Sequence, residues 1–198
     1  MSMVVASVGP QFAIISGDTR ALEKDTRKVV SEDYHKVYKL NDNVLIGFVG
    51  TGTPIQRLKD KFGYQIDNKI FADEFAKEFF ELMKSNYIED EYAVLIVGKM
   101  KNGNGWCTGF NQLSEKMDTA KQFTEDLDMF FLWPDNEKVD YSDMQSSQIK
   151  KVAGIVHHAK NVKRAVEEIS TSVTYLIQEV SKEVDSVNKN IVTYNLIF

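Results

Sequence analysis

Residues 2–20, SMVVASVGPQFAIISGDTR, and residues 35–50, HKVYKLNDNVLIGFVG, decide the fold. Four apolar segments run through them: Met3–Val8, Phe12–Ser16, His35–Leu40 and Val44–Val49. Gly9-Pro10 separates the first pair and Asn41-Asp42-Asn43 the second. These residues supply tight-turn geometry, so the spacing predicts two β-hairpins. Three polar features decorate them. Ser2 stands just before the first strand, Gly17-Asp18-Thr19-Arg20 follows the second, and Lys36 lies inside the third. A hydroxyl, a carboxylate and a lysine so placed suit a nucleophile, an orienting acid and a cation that lowers a neighbouring pKa.

Downstream, residues 21–33 are polar around Val29-Val30 and predict a loop with an edge strand at Lys28–Ser31. Thr53-Pro54 predicts a helix start, with Thr as N-cap and Pro at the first helical position, and Gly63 its end. Phe71, Phe75, Phe79, Leu82 and Met83 recur at helical spacing and predict an amphipathic helix over Ile70–Tyr87. Tyr92–Met100 and Trp106–Phe110, joined by an Asn/Gly-rich turn, predict a hairpin. Asp128–Trp133 predicts a strand stopped by Pro134-Asp135-Asn136. Helices are expected over Ser146–Ala159, with Val152, Ile155 and Val156 on one face, and over Val162–Glu183. A last strand is expected over Ile191–Phe198. This order implies an α+β chain in one domain over residues 1–198. Two stacked sheets with a helix pair on each outer side would bury every apolar face, a four-layer αββα sandwich.

Composition narrows the functional classes. The chain has 198 residues, 43% apolar and 27% charged, ordinary values for a soluble globular domain. A net charge of −5 argues against a broad nucleic-acid-binding surface. The one cysteine, Cys107, sits in an apolar strand and is expected to be a buried small residue. No apolar run approaches the ~20 residues needed to span a bilayer, and no signal-peptide pattern opens the chain, so a cytoplasmic location is expected. His157-His158 are helix neighbours pointing in different directions, which argues against a metal site, and there is no Gly-rich phosphate loop.

The stretch from Ser2 to Gly50 resembles the N-terminal half of proteasome β-type subunits and of the related bacterial heat-shock-locus V peptidase, which are N-terminal-nucleophile hydrolases. Gly17-Asp18-Thr19-Arg20-Ala21 resembles the family's acid motif, at the family's spacing from Ser2. His35-Lys36-Val37 resembles its lysine motif, and Gly47-Phe48-Val49-Gly50-Thr51 its strand ending in the cleft glycine. Val184-Asp185-Ser186-Val187-Asn188-Lys189-Asn190-Ile191-Val192 is similar to the segment that closes the last long helix and opens the last strand.

The resemblance implies peptide-bond cleavage through an acyl-enzyme on Ser2 after removal of Met1. A free α-amine has a pKa of about 7.7–8.0 and can take the hydroxyl proton. Lys36 would lower that pKa further, Asp18 would hold Lys36, and the Gly50 amide would receive the oxyanion. Asp185, with a hydroxyl for which Ser147 is the candidate, would fix the amine. Arg20 would border the substrate. Ser2 stands where the family has Thr, and Asn188 where it has a second Ser. The first helix is shorter than its counterpart. No metal or organic cofactor is implied. The implied partners are a peptide or unfolded-protein substrate, further copies of the chain and an unfoldase, with no nucleic acid and no membrane. A second reading, a non-catalytic assembly or scaffold subunit of the same fold, draws on the same departures.

Overall fold

Strand alternation sends the residues of the first hairpin to two different cores. The computed structural model describes residues 2–23, 25–85, 91–118, 120–134 and 139–198. In it β1 (Val4–Gly9) and β2 (Phe12–Asp18) pair antiparallel, with Val4 opposite Gly17 and Gly9 opposite Phe12. Every residue of both strands is buried, which explains why they read as apolar runs without polar alternation. Met3, Val5, Phe12 and Ile14 enter one core; Val4, Ala6, Val8, Ala13 and Ile15 enter another, as a period of two requires.

The remaining elements, in chain order, are β3 (Ala21–Leu22), β4 (Val29–Ser31), β5 (Val37–Lys39), β6 (Val44–Gly50), α1 (Thr53–Phe62), α2 (Ala72–Lys84), β7 (Tyr92–Lys99), β8 (Gly105–Asn111), β9 (Lys121–Phe123), β10 (Asp128–Leu132), α3 (Ser142–His158), α4 (Val162–Glu183) and β11 (Ile191–Ile197). The chain is thus mixed α and β, and its strands pair antiparallel. One sheet has the order β10-β1-β2-β11, a second β5-β6-β7-β8-β9, and β3-β4 form a separate ribbon.

Three clusters of side chains hold these parts together. Val152 of α3, and Val166, Ile169, Val173, Ile177 and Val180 of α4, pack with Met3, Val5, Phe12 and Ile14 of the four-stranded sheet. Ile55 and Leu58 of α1, and Phe75, Phe79 and Met83 of α2, pack with Val44, Ile46, Phe48, Val94 and Ile96 of the five-stranded sheet. The third cluster joins the sheets directly, with Val4, Ala6 and Ile15 meeting Val37, Leu45, Leu95 and Val97. Gly47 lies at this junction: a Cβ there would come within 2.7 Å of Val4 Cγ1 and 2.8 Å of Ile15 Cδ1. Each fully buried Leu, Ile or Phe contributes about 1.5–3 kcal/mol.

Several element ends differ from the sequence expectation. The cap of α1 is Gly52, with Thr53 already helical and no side-chain cap bond; Gly63 ends the helix at φ 69°. Phe71 is the cap of α2 rather than part of its stripe, and its N–H donates to Glu74 Oε2 (3.3 Å). Phe80 joins the buried face instead. The expected end of this helix at Tyr87, and the Asp135-Asn136 turn, lie outside the described residues. The helix α3 starts one turn earlier than expected, and Val156 is exposed. The strand β9 has no counterpart in the sequence reading; at three residues it is too short for a period to show. Asn161 Oδ1 accepts the Arg164 N–H (2.9 Å) and caps α4. Among the described residues, no helix is long and apolar enough to cross a membrane.

Candidate active site

Asp18, at the end of β2, is fully buried and accepts three hydrogen bonds. Its Oδ1 accepts the Met3 backbone N–H (2.8 Å). Its Oδ2 accepts Lys36 Nζ (2.6 Å) and the Arg20 backbone N–H (3.1 Å). Lys36 is itself only 3% exposed, so this ion pair is shielded from water. Burial lowers the pKa of the Lys36 ammonium below the ordinary lysine value, and the Asp18 carboxylate opposes that shift. The bond from Met3 ties the start of the chain to the same carboxylate, one residue after Ser2.

Ser2 is buried, and it shares with Lys36 the wall of an open cleft of about 1020 Å³. Gly50-Thr51-Gly52, Val49, Ile55 and the Arg20-Ala21-Leu22 stretch line it as well. Tyr34 covers Gly52, where a Cβ would stand 2.7 Å from the Tyr34 hydroxyl. Desolvation raises the Tyr34 pKa.

The ladder phase of β6 directs the Gly50 amide. Phe48 N donates to Lys36 O (2.9 Å) on the β5 side, and Thr51 N donates to Glu91 O (3.0 Å) on the β7 side. Amides alternate along a strand, so the Gly50 N–H falls on the β5 side, one ladder step beyond the Phe48–Lys36 bond. Gly50 has φ 91°, and a Cβ there would meet Glu91 O at 2.2 Å, so the position requires glycine.

The other residues drawn from the sequence are placed differently from one another. Arg20 lines the cleft, and its guanidinium is held by Glu32 and the Asp185 backbone. Nε donates to Glu32 Oε1 and Oε2 (3.1 and 3.2 Å), and Nη1 donates to the Asp185 carbonyl (2.5 Å). The Asp185 side chain is exposed. Asn188 is buried and works as a bracket. Its Oδ1 accepts the Thr19 N–H (3.0 Å), and its Nδ2 donates to Glu32 Oε2 (2.6 Å) and the Glu32 carbonyl (3.2 Å). Asn188 and then Arg20 hold the Glu32 carboxyl below its usual range. Ser147 stands exposed in the second turn of α3 and does not line the cleft.

Ser2, Lys36, Gly50 and Arg20 therefore meet at one cleft, with Asp18 buried behind Lys36. Asn188 and the Asp185 backbone support it from outside, and Ser147 lies apart. Thr19 and Glu32 were missed by the sequence reading. Thr19 sits inside the acid motif and could have been weighed; Glu32 lies in a charged loop with no periodic signal. Cys107 is buried as expected, and burial pushes its thiol up. Among the described residues, no group of three or more His, Cys, Asp or Glu is placed to hold a metal ion.

No protein-family model matches the chain, and no curated protein matches it.

Proposed function

We propose that the chain is a proteasome-like N-terminal-nucleophile hydrolase with a four-layer αββα sandwich, cleaving peptide or amide bonds through an acyl-enzyme on Ser2. The observation that carries this reading is the buried Lys36–Asp18 pair opening beside Ser2 into a cleft. A buried ion pair is a weak stabilising device, since hydrophobic residues of similar volume often do as well, so its position at the cleft favours a chemical role.

Removal of Met1 frees the Ser2 amine. The amine takes the Ser2 hydroxyl proton as Oγ attacks the substrate carbonyl. The oxyanion is received by the Gly50 N–H. The amine then returns the proton to the leaving nitrogen, and water hydrolyses the ester. Lys36, held charged by Asp18, keeps the amine neutral at working pH. The open cleft of about 1020 Å³ would take a peptide or unfolded segment as substrate. Assembly into a ring with an unfoldase is part of the same reading.

Intact-mass spectrometry before and after an epoxyketone probe tests it. Loss of one Met and a single adduct, abolished by Ser2→Ala, are expected. Retention of Met1 with no adduct would overturn it. The exposed Ser147 and the committed Asn188 favour a second reading, a non-catalytic scaffold subunit, which that negative result would select.

A further inference from the structure

The four-stranded sheet ends on one side at β11, and this edge differs from the others. The edge strands β5 and β9 have three residues each and carry Lys39 and Lys121. The edge strand β10 has five residues, and its Asp128 is paired with Lys121 (2.6 Å). Short length and charge are ordinary protections against edge-to-edge pairing. The strand β11 has neither. Its seven residues, Ile191 to Ile197, include no charge and no proline, and they follow β2 without a register shift.

The ladder phase fixes which backbone groups are spare. Thr19 N donates to Asn190 O (3.1 Å) and Phe198 N to Gln11 O (2.9 Å). Asn190, Val192, Tyr194, Leu196 and Phe198 therefore turn their backbone groups to β2, and Ile191, Thr193, Asn195 and Ile197 turn theirs outward. No described strand pairs with that outer edge, and Asn195 and Ile197 are exposed.

We propose that the β11 edge pairs with the same edge of a second copy, antiparallel about a two-fold axis through Tyr194. This register sets Thr193 opposite Asn195 and Ile191 opposite Ile197. Every outward N–H and C=O of one copy then meets an outward partner on the other. A one-residue slip would oppose outward groups to inward ones, and a two-residue slip would strand a pair at each end. The uncharged strand places no like charges across the interface, and the contact is isologous, as a two-fold dimer requires. A foreign segment would find no charge pattern there to select it.

Light scattering on the full chain, with Asn195→Pro and Tyr194→Cys as variants, tests this. The Asn195 N–H faces outward, so proline there spares the internal ladder. Wild type at about 100 μM, where a micromolar contact is saturated, is expected at twice 22.6 kDa, and Asn195→Pro at 22.6 kDa with an unchanged circular-dichroism spectrum. On the axis, residues at position 194 would have Cα atoms about 4.5 Å apart, within disulfide range. Tyr194→Cys is therefore expected to form a reducible covalent dimer under mild oxidation. A wild-type monomer at that concentration overturns the proposal. So does a dimer that survives Asn195→Pro with its fold intact, or that fails to cross-link through Tyr194→Cys. If Asn195→Pro does not fold, the cross-link alone decides.

Discussion

Replacing Asp18 by Asn probes the site at its foundation. The carboxylate accepts Met3 N–H, Arg20 N–H and Lys36 Nζ at 2.8, 3.1 and 2.6 Å. A carboxamide oxygen can replace only one of the two carboxylate oxygens, and its NH₂ group then faces either the Met3 amide or both the Lys36 ammonium and the Arg20 amide, donor against donor. Lys36 is left charged and unpaired at 3% exposure. Removing one partner of a buried pair costs about 3–5 kcal/mol. At roughly 2–4 °C per kcal/mol for a chain of this size, the midpoint falls by roughly 6–20 °C. Lys36→Met should be milder, about 1–3 kcal/mol, because it removes an ammonium whose burial was already unfavourable and leaves Asp18 its two backbone donors. The double variant Asp18→Asn, Lys36→Met should cost clearly less than the sum of the singles, since no unpaired ammonium remains. Urea unfolding of all four proteins, with equal slopes, measures this cycle. If the singles simply add, the two groups are not coupled as a buried charged pair and the reasoning fails.

Other outcomes follow from the same geometry. Gly50→Ala must move Glu91 or the Gly50 backbone; strain alone is about 1–2 kcal/mol. Both urea stability and probe labelling of Ser2 should fall, whereas a variant stable to within ~0.5 kcal/mol would contradict the contact at 2.2 Å. Asn188→Ala removes one of the two acceptors of the Thr19 N–H and leaves it only the Asn190 carbonyl, so about 0.5–1.5 kcal/mol of stability should be lost; hydrogen exchange at Thr19 should accelerate. The pH dependence has two opposed parts. Lys36 has a lowered pKa in the folded state, so as pH rises from that value towards 10.5 the unfolded chain holds the extra proton and the folded state gains stability; Lys36→Met should abolish this gain. Tyr34 and Tyr38 have raised pKa values, so above pH 10.0 the unfolded tyrosines ionise first and stability falls, less steeply in Tyr38→Phe.

The sequence carried the elements whose signal is periodic. The hairpins around Gly9-Pro10 and Asn41-Asp42-Asn43, the Phe75/Phe79/Met83 stripe and the whole of α4 could be read because burial writes apolar residues at fixed spacing. Phe71 was misjudged because a helix cap can carry an apolar side chain while its backbone is bonded by Glu74. Of the candidate site, the meeting of Ser2, Asp18 and Lys36 was legible from short motifs. The roles of Thr19, Glu32 and Asn188 were not. They depend on contacts across 156 and 169 residues of chain, which no local pattern records. Ser147 was misplaced with respect to the cleft because the start of α3 was set one turn late.

The bracket from Asn188 to Thr19, and the pairing of Asp18 with Ile191, also give the site a place in the order of synthesis. A nascent chain that has emerged only as far as α3 already holds Ser2, Asp18 and Lys36, but β2 still has one bare edge and the Arg20 guanidinium lacks its carbonyl from Asp185. These contacts join the two ends of the chain, so they form late in folding. The wall of the cleft is therefore completed only after residues 185–197 have left the ribosome, and a cleft built this way stays unfinished while its own unfolded chain is still beside it.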